Sequence, residues 1–165
     1  MPSLPNRRVL LSSIATIMLL ANARGSMAAD PKDTADQIFS IYVDTLVQTN
    51  TLLEGTPPAE DVADKMAAIK EASVTKVVAL GHEVAAMSEA DRTAVEASLN
   101  SSISSMTYKP ETKKVYEGYQ AVWGAYVKGD KELFQTIKSL NILTQYAFFD
   151  LLRKQEPAEA DRLGV

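Results

Sequence analysis

Between Val62 and Met87 the apolar residues fall at steps of three and four: Val62, Met66, Ile69, Val77, Leu80, Val84 and Met87, with Ser73 on the same line. On a helical wheel these positions form one narrow stripe, which demands a helix of about seven turns packed along its whole length. No run of alternating apolar residues is long enough to suggest a strand. The expected fold is therefore all-α, a single up-and-down bundle of four or five amphipathic helices joined by short connections.

Punctuation in the sequence sets the other helices. Asp30-Pro31 offers a cap followed by proline at the first helical position, and Gly55 marks the end of that helix. Ile38, Ile41, Tyr42, Thr45, Leu46, Leu52 and Leu53 are its predicted inner face. Thr56-Pro57-Pro58 reads as a second start of the same kind, with Thr56 as the cap. Ser88-Glu89-Ala90-Asp91 reads as a capping box with Asp in place of the usual Glu or Gln. It opens a third helix carrying Val95, Leu99, Ile103 and Met106. Pro110 begins a fourth, which ends at Gly129; Asp130 caps a fifth, which Pro157 stops. The domain limits that follow are 30–157 for the bundle and 158–165 for a flexible C-terminal tail.

Residues 1–29 carry the pattern of an export signal. Arg7 and Arg8 precede an apolar run from Val9 to Leu20, and small residues near Ala23 or Ala28 offer a cleavage site. The run is shorter than the roughly 20 apolar residues that span a bilayer, so no stable membrane span is expected. Asn6-Arg7-Arg8-Val9-Leu10-Leu11 resembles a twin-arginine export motif, with Asn where Ser or Thr is usual and Leu where Phe is frequent. An ordinary Sec signal with two arginines fits the same residues. Either route makes the protein periplasmic or secreted.

Cysteine is absent, which leaves no disulfide framework, no thiolate metal site and no covalent haem attachment. Residues 30 to 107 carry 13 acidic and 5 basic side chains, whereas residues 108 to 165 carry 8 and 9. A surface this acidic repels nucleic acid and suits a basic protein partner.

Few residues converge on chemistry. His82, the only histidine, lies about 200° round the wheel from Val62, away from the stripe, and reads as a surface residue. Metal and haem ligands in bundles face inward, so no metal site and no cofactor are expected. Met66, Met87 and Met106 read as core filler. The acidic residues near helix starts are accounted for by the helix dipole, and no Ser or Thr has a histidine partner. No catalytic residue is therefore assigned, and the protein is not expected to be an enzyme.

Two apolar surfaces are more informative. Nine of the eleven aromatic residues lie between Tyr108 and Phe149. On the fourth helix Tyr116, Tyr119, Trp123 and Tyr126 share an arc, either core or the lining of a pocket for a small apolar or aromatic ligand. Gly118 and Gly124 in that helix suggest close approach of a neighbour. On the fifth helix Leu133, Ile137, Leu140, Thr144, Ala147 and Leu151 face inward, while Ile142, Tyr146 and Phe149 fall opposite at i, i+4 and i+7. That face is covered either by another helix of the chain or by a partner. The function expected is that of an exported, non-enzymatic binding protein acting through protein contact, as an accessory subunit, an inhibitor or an immunity-type protein. A carrier of a small ligand is the alternative, and a homo-oligomer is compatible with both.

Overall fold

A computed structural model describes residues 30–165, and among them all regular structure is helical. The export signal falls on residues 1–29, outside the described residues. In chain order the helices are α1 (Pro31–Leu52), α2 (Ala59–Ala86), α3 (Glu89–Ser105), α4 (Pro110–Tyr126), α5 (Lys131–Ser139), a 3₁₀ segment (Leu140–Ala147), α6 (Phe149–Gln155) and α7 (Pro157–Leu163). No described helix is long and apolar enough to cross a membrane.

α1 lies at the centre. It packs against α2, α3, α4 and the 3₁₀ segment, and its Ala35, Ile38, Tyr42, Leu46 and Leu53 are all buried. Asp30 caps it as expected, its carboxylate accepting from the Lys32 amide at 2.8 Å. Thr45 and Ser73 meet between α1 and α2 through their hydroxyls, 2.8 Å apart and buried. The Ser73 hydroxyl donates to the Ile69 carbonyl, and the single Thr45 proton lies within reach of both Ser73 Oγ and the Ile41 carbonyl, so no donor is stranded.

α2 buries Val62, Met66, Ser73, Val77, Leu80 and Val84, with Ile69 half-buried at the edge of the stripe. Val74 and Gly81 are buried as well, because α2 has a second neighbour in α5 and the 3₁₀ segment. Its start differs from expectation. Gly55 and Thr56 both take positive φ, 74° and 55°, and the helix begins at Ala59 with Pro58 at the cap position. Thr56 is thus a turn residue rather than a cap. The left-handed region is unfavourable for a β-branched side chain, so this turn stores strain.

Ser88 caps α3, accepting from the Asp91 amide at 3.2 Å and donating to Asp91 Oδ2 at 2.7 Å. Asp91 is one methylene shorter than Glu and bonds the cap hydroxyl instead of the Ser88 amide. Asp130 caps α5 by accepting from the Leu133 amide at 2.7 Å.

The single fifth helix expected between Asp130 and Pro157 is broken into three. From Ile137 the largest fully buried side chains recur at steps of three: Ile137, Leu140, Leu143 and Tyr146, with Phe149 next in the series. A period of three aligns side chains in a 3₁₀ helix, whereas it drifts round an α-helix. Phe148, at φ −122° and ψ 85°, ends that segment. Glu156 is held out of the helical region by Pro157, and Pro157 then becomes the first residue of α7. Most of residues 158–165, expected as a flexible tail, thus lie in a helix. α7 closes on Gly164 at φ 69°, with the Val165 amide returning to the Ala160 carbonyl at 3.1 Å. Ala160 is buried against the body.

Candidate functional site

The face offered to a partner by Ile142, Tyr146 and Phe149 is taken up by the chain itself. Tyr146 is 1% exposed and Phe149 9%, while Ile142 is half-buried. The 3₁₀ winding turns Tyr146 and Phe149 onto the buried side, where the α-helical wheel placed them outside. Gly81 makes room for Phe149, and exposed His82 meets the edge of the same ring with centroids 5.0 Å apart.

The aromatic arc of α4 divides between several environments. Tyr119 is buried and donates to the Ile137 carbonyl at 2.9 Å; Tyr126 is buried and donates to the Pro57 carbonyl at 2.6 Å. Trp123 stacks on Phe134 at 5.7 Å, and half-buried Tyr116 lies 6.4 Å from Tyr119. Burial raises the Tyr119 phenol, and burial together with Tyr116 pushes Tyr42 up to about 12. These rings tie α4 to α1, α5 and the α1–α2 turn, and none of them lines a cleft described below. Gly118 does mark a close approach, since a β-carbon there would lie 2.8 Å from the Asn50 amide nitrogen. Gly124 has open space beside it.

The most developed polar arrangement joins α7 to α2 and the 3₁₀ segment. Tyr146 donates its phenol proton to Glu159 Oε1 at 2.9 Å. Arg162 donates to both Glu159 oxygens, from Nε at 2.7 Å and Nη2 at 2.8 Å. The same guanidinium grips both oxygens of Glu71 on α2, at 3.0 and 3.2 Å. The Arg162 hydrogen bonds, with the Tyr146 hydroxyl and nearby Lys70 adding to them, hold the Glu159 carboxyl down to about 2 against the opposing effect of burial. Burial and Glu159 raise the Tyr146 phenol. Sequence reasoning missed Glu159 and Arg162 by reading their segment as a tail. Pro157 at the first helical position and Gly164 just past the last were the available signal.

Two clefts flank this region. One, of about 450 Å³, lies between the α2–α3 junction and α6. Its lining combines apolar Val84, Phe148, Phe149 and Leu151 with charged Arg92, Arg153, Glu89, Glu96 and Asp150. The other, of about 490 Å³, is lined by α2, the end of α5, the 3₁₀ segment and α7, with Ile142 and Tyr146 in its wall. A third, smaller cleft of about 230 Å³ carries Glu60, Asp64, Asp130 and Glu132. Among the described residues no group of three or more His, Asp or Glu is placed to hold a metal ion. Comparison with known protein families, curated proteins and solved structures finds no match to this chain.

Proposed function

We propose that residues 1–29 direct export and that the helices after them form an up-and-down bundle acting as a non-enzymatic binding protein. It works in the periplasm or outside the cell by contact with another exported protein. The contact surface is the cleft between the α2–α3 junction and α6. The observation that carries this reading is the make-up of that cleft. Half-buried Phe148 and Leu151 line it together with Val84 and Phe149, and charges of both signs, including two arginines, line it as well. An apolar centre with aromatic and arginine anchors inside a charged rim is the anatomy of protein-binding surfaces.

The polar cluster supports contact over proton chemistry. An acid–base catalyst works best when its group titrates near the working pH. Glu159, at about 2, stays charged, and the Tyr146 phenol, raised by burial, stays protonated. Both act as fasteners for α7.

Affinity recovery from an exported-protein extract tests the reading, with the unsubstituted chain beside an Arg92→Glu/Leu151→Asp variant. The expected result is one stoichiometric partner on the unsubstituted chain, lost from the variant while its circular dichroism is unchanged. A partner that binds the variant equally well overturns the assigned surface. Recovery of no stoichiometric partner overturns the function.

A further inference from the structure

The cleft between α5, the 3₁₀ segment and α7 is lined by a lysine with poor pairing. Lys70 projects from α2 with its side chain 22% exposed, and its one ion-pair contact among the described residues is Glu159 Oε1 at 4.0 Å. That oxygen already accepts from Tyr146 at 2.9 Å and Arg162 at 2.8 Å, and the other accepts from Arg162 at 2.7 Å. Glu159 Oε1 is therefore occupied by closer donors, and Lys70 makes no side-chain hydrogen bond among the described residues. An ammonium group in that state has N–H groups to offer an incoming anion.

The rest of the wall narrows the anion. Lys138 at the end of α5 lines the same cleft and makes no ion pair among the described residues. Exposed Glu156, at the α6–α7 junction, lines the same cleft and is a carboxylate that also makes none among the described residues. Two ammonium groups and a free carboxylate suit a ligand carrying both signs. A second carboxylate on the ligand would meet repulsion from Glu156 and Glu159. Ile142 adds an apolar patch, and about 490 Å³ is room for a small metabolite.

We propose that this cleft binds the ammonium and carboxylate groups of an aliphatic α-amino acid or short peptide. The carboxylate lies at Lys70 and Lys138, the ammonium at Glu156, and the aliphatic side chain against Ile142.

Calorimetric titration of the full chain with L-leucine and with the dipeptide Leu-Leu tests this, beside isovalerate (carboxylate alone) and isoamylamine (ammonium alone). At least one of the first two is expected to bind saturably at one site, and the tighter of them tells free amino acid from peptide. Each single-charge analogue is expected to bind about 10-fold more weakly or worse, as are the Lys70→Met and Glu156→Gln variants toward the bound ligand. Exposed Lys138→Met serves as a variant with little bearing on folding, and is expected to weaken binding in the same direction. Absence of saturable binding by either ligand at millimolar concentration overturns the proposal. So does isovalerate matching L-leucine, or unchanged affinity in a folded Lys70→Met chain. The Arg92→Glu/Leu151→Asp variant alters the other cleft and leaves this titration unchanged, so the two readings fail separately.

Discussion

Gly81 faces Phe149 across a gap too small for a methyl group: a β-carbon at position 81 would lie 2.6 Å from Cε1 of the ring and 3.0 Å from the Tyr146 carbonyl oxygen. The ring could swing aside, but the carbonyl belongs to the buried 3₁₀ segment. Gly81→Ala is therefore expected to destabilise by about 1–2 kcal/mol, the overpacking cost exceeding what helix propensity returns. Urea denaturation of the two proteins measures the difference, and a gain in stability would show that the 3₁₀ segment gives way freely.

The two inner glycines of α4 are expected to part company. Gly118→Ala would press on Asn50 and disturb its 2.9 Å bond to the Val115 carbonyl. Gly124→Ala meets nothing within 4 Å. The second substitution should stabilise by up to about 1 kcal/mol through helix propensity, and the first should fail to do so or destabilise. Thermal denaturation of the pair under one set of conditions is the check.

Tyr126→Phe removes the hydroxyl that holds the strained α1–α2 turn through the Pro57 carbonyl. The expected loss is about 1 kcal/mol, the usual net worth of such a bond. Hydrogen exchange should also rise at the amides of residues 54–56 more than in α3, and uniform exchange across the chain would count against a local role for the bond.

Glu159 gives the fold an acid-sensitive fastening. Its carboxyl is depressed from the ordinary 4.5 to about 2, chiefly by the Arg162 hydrogen bonds. A depressed carboxyl stabilises the folded state above the unfolded pKa, and that contribution disappears as pH falls through the folded one. The advantage of the unsubstituted chain over Glu159→Gln should therefore be full above about pH 5 and shrink as the pH drops towards about 2. Melting temperatures of both proteins across that range test the sign. A gap that is constant with pH would mean the carboxylate contributes nothing through its charge.

The helical class and most of the inner faces were legible in the sequence because they rest on local signals. The α2 stripe and the caps at Asp30, Ser88 and Asp130 each depend on residues within a turn or two. Thr56 misled because Thr before Pro-Pro resembles a cap, while the left-handed pair Gly55-Thr56 is a response to where α2 must lie. Ile142, Tyr146 and Phe149 were placed on an outer face by assuming 100° per residue through a segment that winds at three residues per turn. The regular step from Ile137 to Phe149 was visible, but it competes with an equally acceptable α-helical reading until a neighbour such as Gly81 is known. The pairing of Arg162 with Glu71 could not be read at all, since 91 positions separate them.

The place of α1 bears on how the molecule comes together. The rod that touches α2, α3, α4 and the 3₁₀ segment is also the earliest of the described helices in chain order. Shortening the protein from its far end would soon reach the buried 3₁₀ segment, whereas a cut near Pro31 would take away the surface on which α2, α3, α4 and that segment gather.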